Sequence, residues 1–96
     1  MTYHIPDRLY HDLVRMAKKH QIQKLILFGS RARGTNRERS DVDLAVFGGD
    51  FDGFYWDVNE NAWSLLSFDL IEYDNGISEE LKKEIEKDGI TIYEKI

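Results

Sequence analysis

Leu25–Phe47 reads LILFGSRARGTNRERSDVDLAVF. An apolar run ends at Gly29, and a loop follows that carries Arg31, Arg33, Arg37 and Arg39 against one acid, Glu38. The loop then delivers Asp41 and Asp43 to the mouth of a second apolar run. Short apolar runs bounded by glycine have the length and composition of buried strands. Lys24–Phe28 and Val42–Phe47, the latter stopped by Gly48-Gly49, are therefore predicted as strands. Aspartate is depleted in strands. Asp41 alone suits a turn, but Asp43 leads Leu44-Ala45-Val46 into what should be core, and that placement calls for a chemical reason.

The flanking sequence supplies the remaining elements. Pro6 and Asp7 suit a first helical turn, because proline needs no N–H there and an acid complements the positive end of the helix dipole. Leu9, Leu13, Val14 and Ala17 recur at helical spacing, which predicts a helix over Asp7–His20. A second helix is expected over Phe54–Leu66, with Val58, Ala62, Leu65 and Leu66 on one side, and a third strand over Phe68–Tyr73. Ser78 followed by Glu79-Glu80-Leu81 reads as an N-cap, Gly89 as the stop, and Ile90–Tyr93 as a last strand. Counting a helical turn after Gly29, the order is α-β-α-β-α-β-α-β. It predicts an α/β (α+β) fold, a mixed sheet of about four strands flanked by helices.

Bulk composition narrows the class. Ninety-six residues, 42% hydrophobic and 32% charged, predict one soluble domain spanning 1–96. No apolar stretch approaches the roughly 18 residues a membrane span needs, and no signal peptide is visible at the start. The absence of cysteine leaves no disulfide or thiolate metal site and fits a reducing compartment, so the expected location is the cytoplasm. A net charge of −5 argues against stable binding of bulk nucleic acid. A compact basic loop within an acidic chain points instead to a small anionic ligand.

The chemistry-bearing residues converge on one type of site. A strand ending in Gly29 and turning into Ser30 lets backbone N–H groups approach a phosphate closely. From that pair alone, a plain serine N-cap is the favoured reading. Side chains two apart on a strand point the same way, with Cα atoms about 6.5–7 Å apart, so Asp41 and Asp43 share a face. Asp69, within Phe68-Asp69-Leu70-Ile71, shares its face with Ile71 and Tyr73 and needs a partner, either a salt bridge or a metal. Should its strand lie beside that of Asp43, three carboxylates meet near Gly29-Ser30. Such a set suits two Mg²⁺ ions about 3.5–4 Å apart and in-line attack on a phosphate. His4, His11 and His20 form no ligand set.

Taken together, Gly29-Ser-Arg-Ala-Arg-Gly34, Ser40-Asp-Val-Asp-Leu44 and Phe68-Asp-Leu-Ile71 resemble the nucleotidyltransferases of the DNA polymerase beta superfamily, and more closely their minimal free-standing (MNT-type) group. The resemblance covers nearly the whole chain. It implies the nucleotidyltransferase fold, with Gly29 and Ser30 holding the β- and γ-phosphates of ATP. It also implies Asp41, Asp43 and Asp69 as catalytic metal ligands, with Asp69 helping to deprotonate the acceptor hydroxyl. Arg33 is a candidate phosphate contact; Arg31, Arg37 and Arg39 are weaker ones. Larger relatives carry a further helical domain that this chain is expected to lack, so a partner would complete the site. In the minimal group that partner is an all-helical HEPN toxin, and the nucleotidyltransferase is an antitoxin of type VII character that transfers AMP from ATP to a toxin tyrosine.

Two alternatives stay open from sequence. One is a non-catalytic module that neutralises its partner by occlusion. The other is the catalytic subunit of a two-chain enzyme acting on a small molecule. The aromatic stretch Phe51–Trp56, with Trp63, offers either core packing or an exposed patch for a homo- or hetero-oligomeric contact.

Overall fold

The computed structural model describes residues 5–62, 66–74 and 76–96. Its central strand is β1 (Lys24–Phe28), whose alternating side chains divide between two apolar clusters. Leu25 and Leu27 join the larger one, Ile26 and Phe28 the smaller. This two-sided demand is why the segment lacks polar alternation and why helices must cover both faces.

Eight elements run along the chain: α1 (Asp7–Lys19), β1, α2 (Ser30–Arg33), β2 (Val42–Phe47), α3 (Phe51–Asn61), β3 (Phe68–Glu72), α4 (Glu79–Asp88) and β4 (Ile90–Glu94). The four strands form one sheet in the order β3-β2-β1-β4. β1 pairs antiparallel with β2 and β4, and β2 pairs parallel with β3. The sheet is therefore mixed, as expected for this fold class. The parallel pair is joined through α3, since parallel neighbours need a crossover.

One face is closed by α1 and α3. Leu9, Leu13, Met16, Phe54 and Val58 pack there with Leu25, Leu27, Val42, Leu44, Val46 and Leu70. The other face is met by α4, whose Ile85 and Leu81 pack against Phe28, Ala45, Ile26 and Ile71. Asp43 alternates with Val42 and Leu44, and Asp69 with Phe68 and Leu70, so both acids project on the α4 side.

The helix joining β2 to β3 differs from expectation. It starts at Phe51 rather than Phe54, because the Asp50 carboxylate accepts a hydrogen bond from the Gly53 N–H at 3.0 Å and caps it early. It ends at Asn61; Leu65, expected on its buried side, lies outside the described residues, as does Trp63. The other boundaries agree within a residue. Ser78 caps α4 as expected, accepting from the Leu81 N–H at 3.2 Å.

His20 is a structural tie. Its Nε2 stands 2.9 Å from Asp57 Oδ2 and its Nδ1 3.5 Å from Asp50 Oδ2, joining the end of α1 to α3. Asn61 donates to Asp57 at 2.8 Å, and Lys19 lies 3.5 Å away. No described helix is long and apolar enough to cross a membrane.

Candidate active site

The parallel register of β2 and β3 sets Asp43 directly beside Asp69. Neighbouring strands run about 4.8 Å apart, so two acids on one face at the same register level share a site. On its other side Asp43 is paired with Phe28, the last residue of β1. The chain then enters Gly29, whose φ of 73° and ψ of −155° lie in a region essentially reserved for glycine. A Cβ at Gly29 would collide with the Asp43 carboxylate. Gly29 and Asp43, fourteen positions apart in sequence, are thus in contact in space.

Asp41 precedes β2 and is exposed; Asp69 is also exposed, while Asp43 is only half-buried. The environment pushes the Asp43 carboxyl up to about 6. Burial is the main cause, followed by the charges of Asp69, Asp41 and Glu84, with Arg33 opposing them. The three predicted acids therefore act on one another electrostatically. Among the described residues, no three His, Cys, Asp or Glu side chains already stand in ligating geometry.

Ser30 opens α2, a single turn. The Gly29 carbonyl accepts from the N–H groups of Ala32 and Arg33 at 3.2 and 3.1 Å, and the Ser30 carbonyl from Thr35 at 3.0 Å. This tight turn ends at Gly34 in the left-handed region.

The arginines divide into two roles that sequence reasoning did not separate. Arg31 is 4% exposed and points into the loop that follows. Its Nε donates to the Ser40 carbonyl at 3.0 Å, and its Nη2 to the carbonyls of Glu38 at 3.0 Å and Arg37 at 3.5 Å. Burial draws its pKa below the ordinary value. Arg31 thus fixes the loop that delivers Asp41, a role carbonyl acceptors nine residues away could not announce in sequence. Arg33 faces α4 instead, with Nη1 3.7 Å from Glu84 and 3.5 Å from Asp88. Arg37 and Arg39 are exposed. The α4 acids were not singled out from sequence; their four-residue spacing marks a shared helix face, but only the tertiary fold aims it at α2.

The aromatic stretch splits as half core and half surface. Phe54 is fully buried and Phe51 partly so, whereas Tyr55 is 37% and Trp56 62% exposed. Their rings meet edge to face, with centroids 5.5 Å apart.

Comparison with known proteins follows the same lines. The family model described as polymerase beta, nucleotidyltransferase, matches residues 11–96. No curated protein matches the chain. Among solved structures, a toxin-antitoxin crystal structure with AMP-PNP is similar at a TM-score of 0.71 and 23% identity, over 90% of this chain and 73% of that one. A mutant of the MntA-HpeT toxin-antitoxin, with two aspartates changed to glutamate, is similar at 0.70 and 21% identity, over 90% and 73%. At these identities the likeness establishes the shared fold.

Proposed function

Because the chain belongs to the polymerase beta nucleotidyltransferase family, we propose that its α4-side acids catalyse transfer of AMP from ATP to a hydroxyl of a partner protein, a tyrosine of a HEPN-type toxin, with the α-phosphate bond to the β-phosphate broken and pyrophosphate released. The observation that carries this reading is the Asp43–Asp69 register pair against Gly29. The catalytic acids are Asp41, Asp43 and Asp69, and Gly29, Ser30 and Arg33 contact the phosphates.

The donor chemistry suits Mg²⁺. The acids offer only hard carboxylate oxygens, and Asp43 is held against ionisation by burial and then by its acidic neighbours, a conflict that a divalent cation would resolve. Asp41, Asp43 and Asp69 would hold the metal, two ions in the family scheme, which supplies Lewis-acid stabilisation of the phosphates. The chain's own contribution is placement. Arg31 ties down the loop before Asp41. The glycine at 29 lets the phosphate-binding turn approach the Asp43 carboxylate. The exposed Asp69 is open to an incoming hydroxyl and takes up its proton.

The partner is inferred from the two structural neighbours, both toxin-antitoxin pairs, one of them with a nucleotide analogue. The exposed Tyr55–Trp56 surface on α3 is the proposed contact with it. The test is the intact mass of the chain that co-purifies with this protein, after incubation with ATP and Mg²⁺. Wild type adds AMP; the Asp41→Asn/Asp43→Asn variant adds none. Transfer retained by that variant in its folded form refutes the assignment.

A further inference from the structure

Arg33 is held by two acids that the family motifs do not include. Glu84 and Asp88 lie one helical turn apart on α4, and both approach the same nitrogen, Nη1, at 3.7 and 3.5 Å. Neither distance is that of a tight charge-assisted hydrogen bond, which lies near 2.7–2.9 Å. Nε and Nη2 have no partner among the described residues. The three side chains are 41%, 44% and 22% exposed, so water screens the contact and its strength is small. The same guanidinium stands close enough to Asp43 to favour its ionised form, while Glu84 disfavours it.

We propose that Glu84 and Asp88 are internal stand-ins for the phosphates of the nucleotide: they occupy Arg33 in the free protein and give it up when a polyphosphate binds. The inference rests on the reading of Arg33 as a phosphate contact. A loosely held arginine with two open donor edges is prepared for a bidentate anion. Two carboxylates converging on one nitrogen supply the ion-pair partners that Arg33 has in the free protein. Exchange costs little because the contact being broken is long and solvated. It also sets a threshold: an anion must outcompete two carboxylates already tethered to the fold. α4 thereby becomes part of the nucleotide-binding machinery, with Glu84 and Asp88 as affinity-setting residues.

The test is a double-mutant cycle on binding of inorganic tripolyphosphate with Mg²⁺, read by calorimetry. Glu84→Gln/Asp88→Asn is expected to tighten binding about 3- to 5-fold. The same pair of changes in an Arg33→Met background is expected to alter it less than about 2-fold, because the competition acts through Arg33. An equal gain in both backgrounds overturns the proposal in favour of a general charge effect. No gain, a loss, or no tripolyphosphate binding by any variant also overturns it. The functional reading fails separately, when tripolyphosphate binds and the cycle holds but no AMP is transferred from ATP.

Discussion

At the scale of single residues, Asp43 carries the clearest pH signature. Its carboxyl titrates at about 6 in the folded chain against an ordinary 3.8, so between those values the folded state holds a proton that the unfolded state has lost. Stability therefore falls as pH rises through that window, and levels off above it. After allowance for solvent screening the change is about 1–2 kcal/mol. Urea unfolding between pH 4 and 8 should show this slope in wild type and lose it in Asp43→Asn, which is the more stable protein at pH 7 without metal. If Asp43 ligates Mg²⁺, the ion raises the melting temperature of wild type and leaves Asp43→Asn unmoved. Gly29 is constrained twice, by its backbone angles and by the carboxylate against it. Gly29→Ala should lower stability by roughly 2 kcal/mol or more in thermal unfolding.

At the scale of elements, the two arginines of α2 should behave oppositely. Arg31→Met leaves the partly buried hydrogen bonds to the Glu38 and Ser40 carbonyls without their donor and should cost about 1–2 kcal/mol, together with protease sensitivity of residues 35–40. Arg33→Met removes two solvent-screened ion pairs and should cost about 1 kcal/mol or less. The sequence showed both as members of one basic loop, because charge and proximity along the chain do not say which side chain turns inward. The strands were legible because their apolar runs are short and punctuated by glycine. The start of α3 was not, since the Asp50 cap competes with a glycine at position 53 that reads locally as a breaker. The α1–α3 junction has its own pH dependence. Hydrogen bonds from Asn61 and His20 hold the Asp57 carboxyl below the usual range. Its contribution is thus present above the ordinary carboxylate pKa and lost as pH falls through the lowered folded value. Asp57→Ala should cost about 1–2 kcal/mol at pH 7, and the difference from wild type should vanish in acid.

At the scale of the whole molecule, the sheet separates stability from chemistry. The α1–α3 face holds the larger apolar cluster, and the α4 face carries Asp43, Asp69 and the Arg33 pairings. Sequence spacing anticipated that Asp69 shares its face with Ile71 and Tyr73. What it left conditional was whether that strand lies beside the strand of Asp43, which only the parallel β2–β3 pairing decides. Glu84 and Asp88 were hidden for the same reason, as α4 reads alone as an ordinary amphipathic helix. The exposed Trp56, on a helix of the face opposite these acids, is the proposed partner contact and is separable from them. Trp56→Ala should weaken capture of the co-purifying partner by 10-fold or more and leave Mg²⁺–ATP binding unchanged.

On the proposed reading, the Asp41, Asp43 and Asp69 carboxylates hold a metal ion and the Gly29-Ser30 turn receives the ATP phosphates. Isothermal titration of ATP into the purified protein, with Mg²⁺ and again with EDTA, addresses it most directly. The account predicts binding with Mg²⁺ that is abolished by EDTA and by Asp41→Asn/Asp43→Asn. ATP binding that persists in EDTA, or that survives the double substitution undiminished, would contradict it.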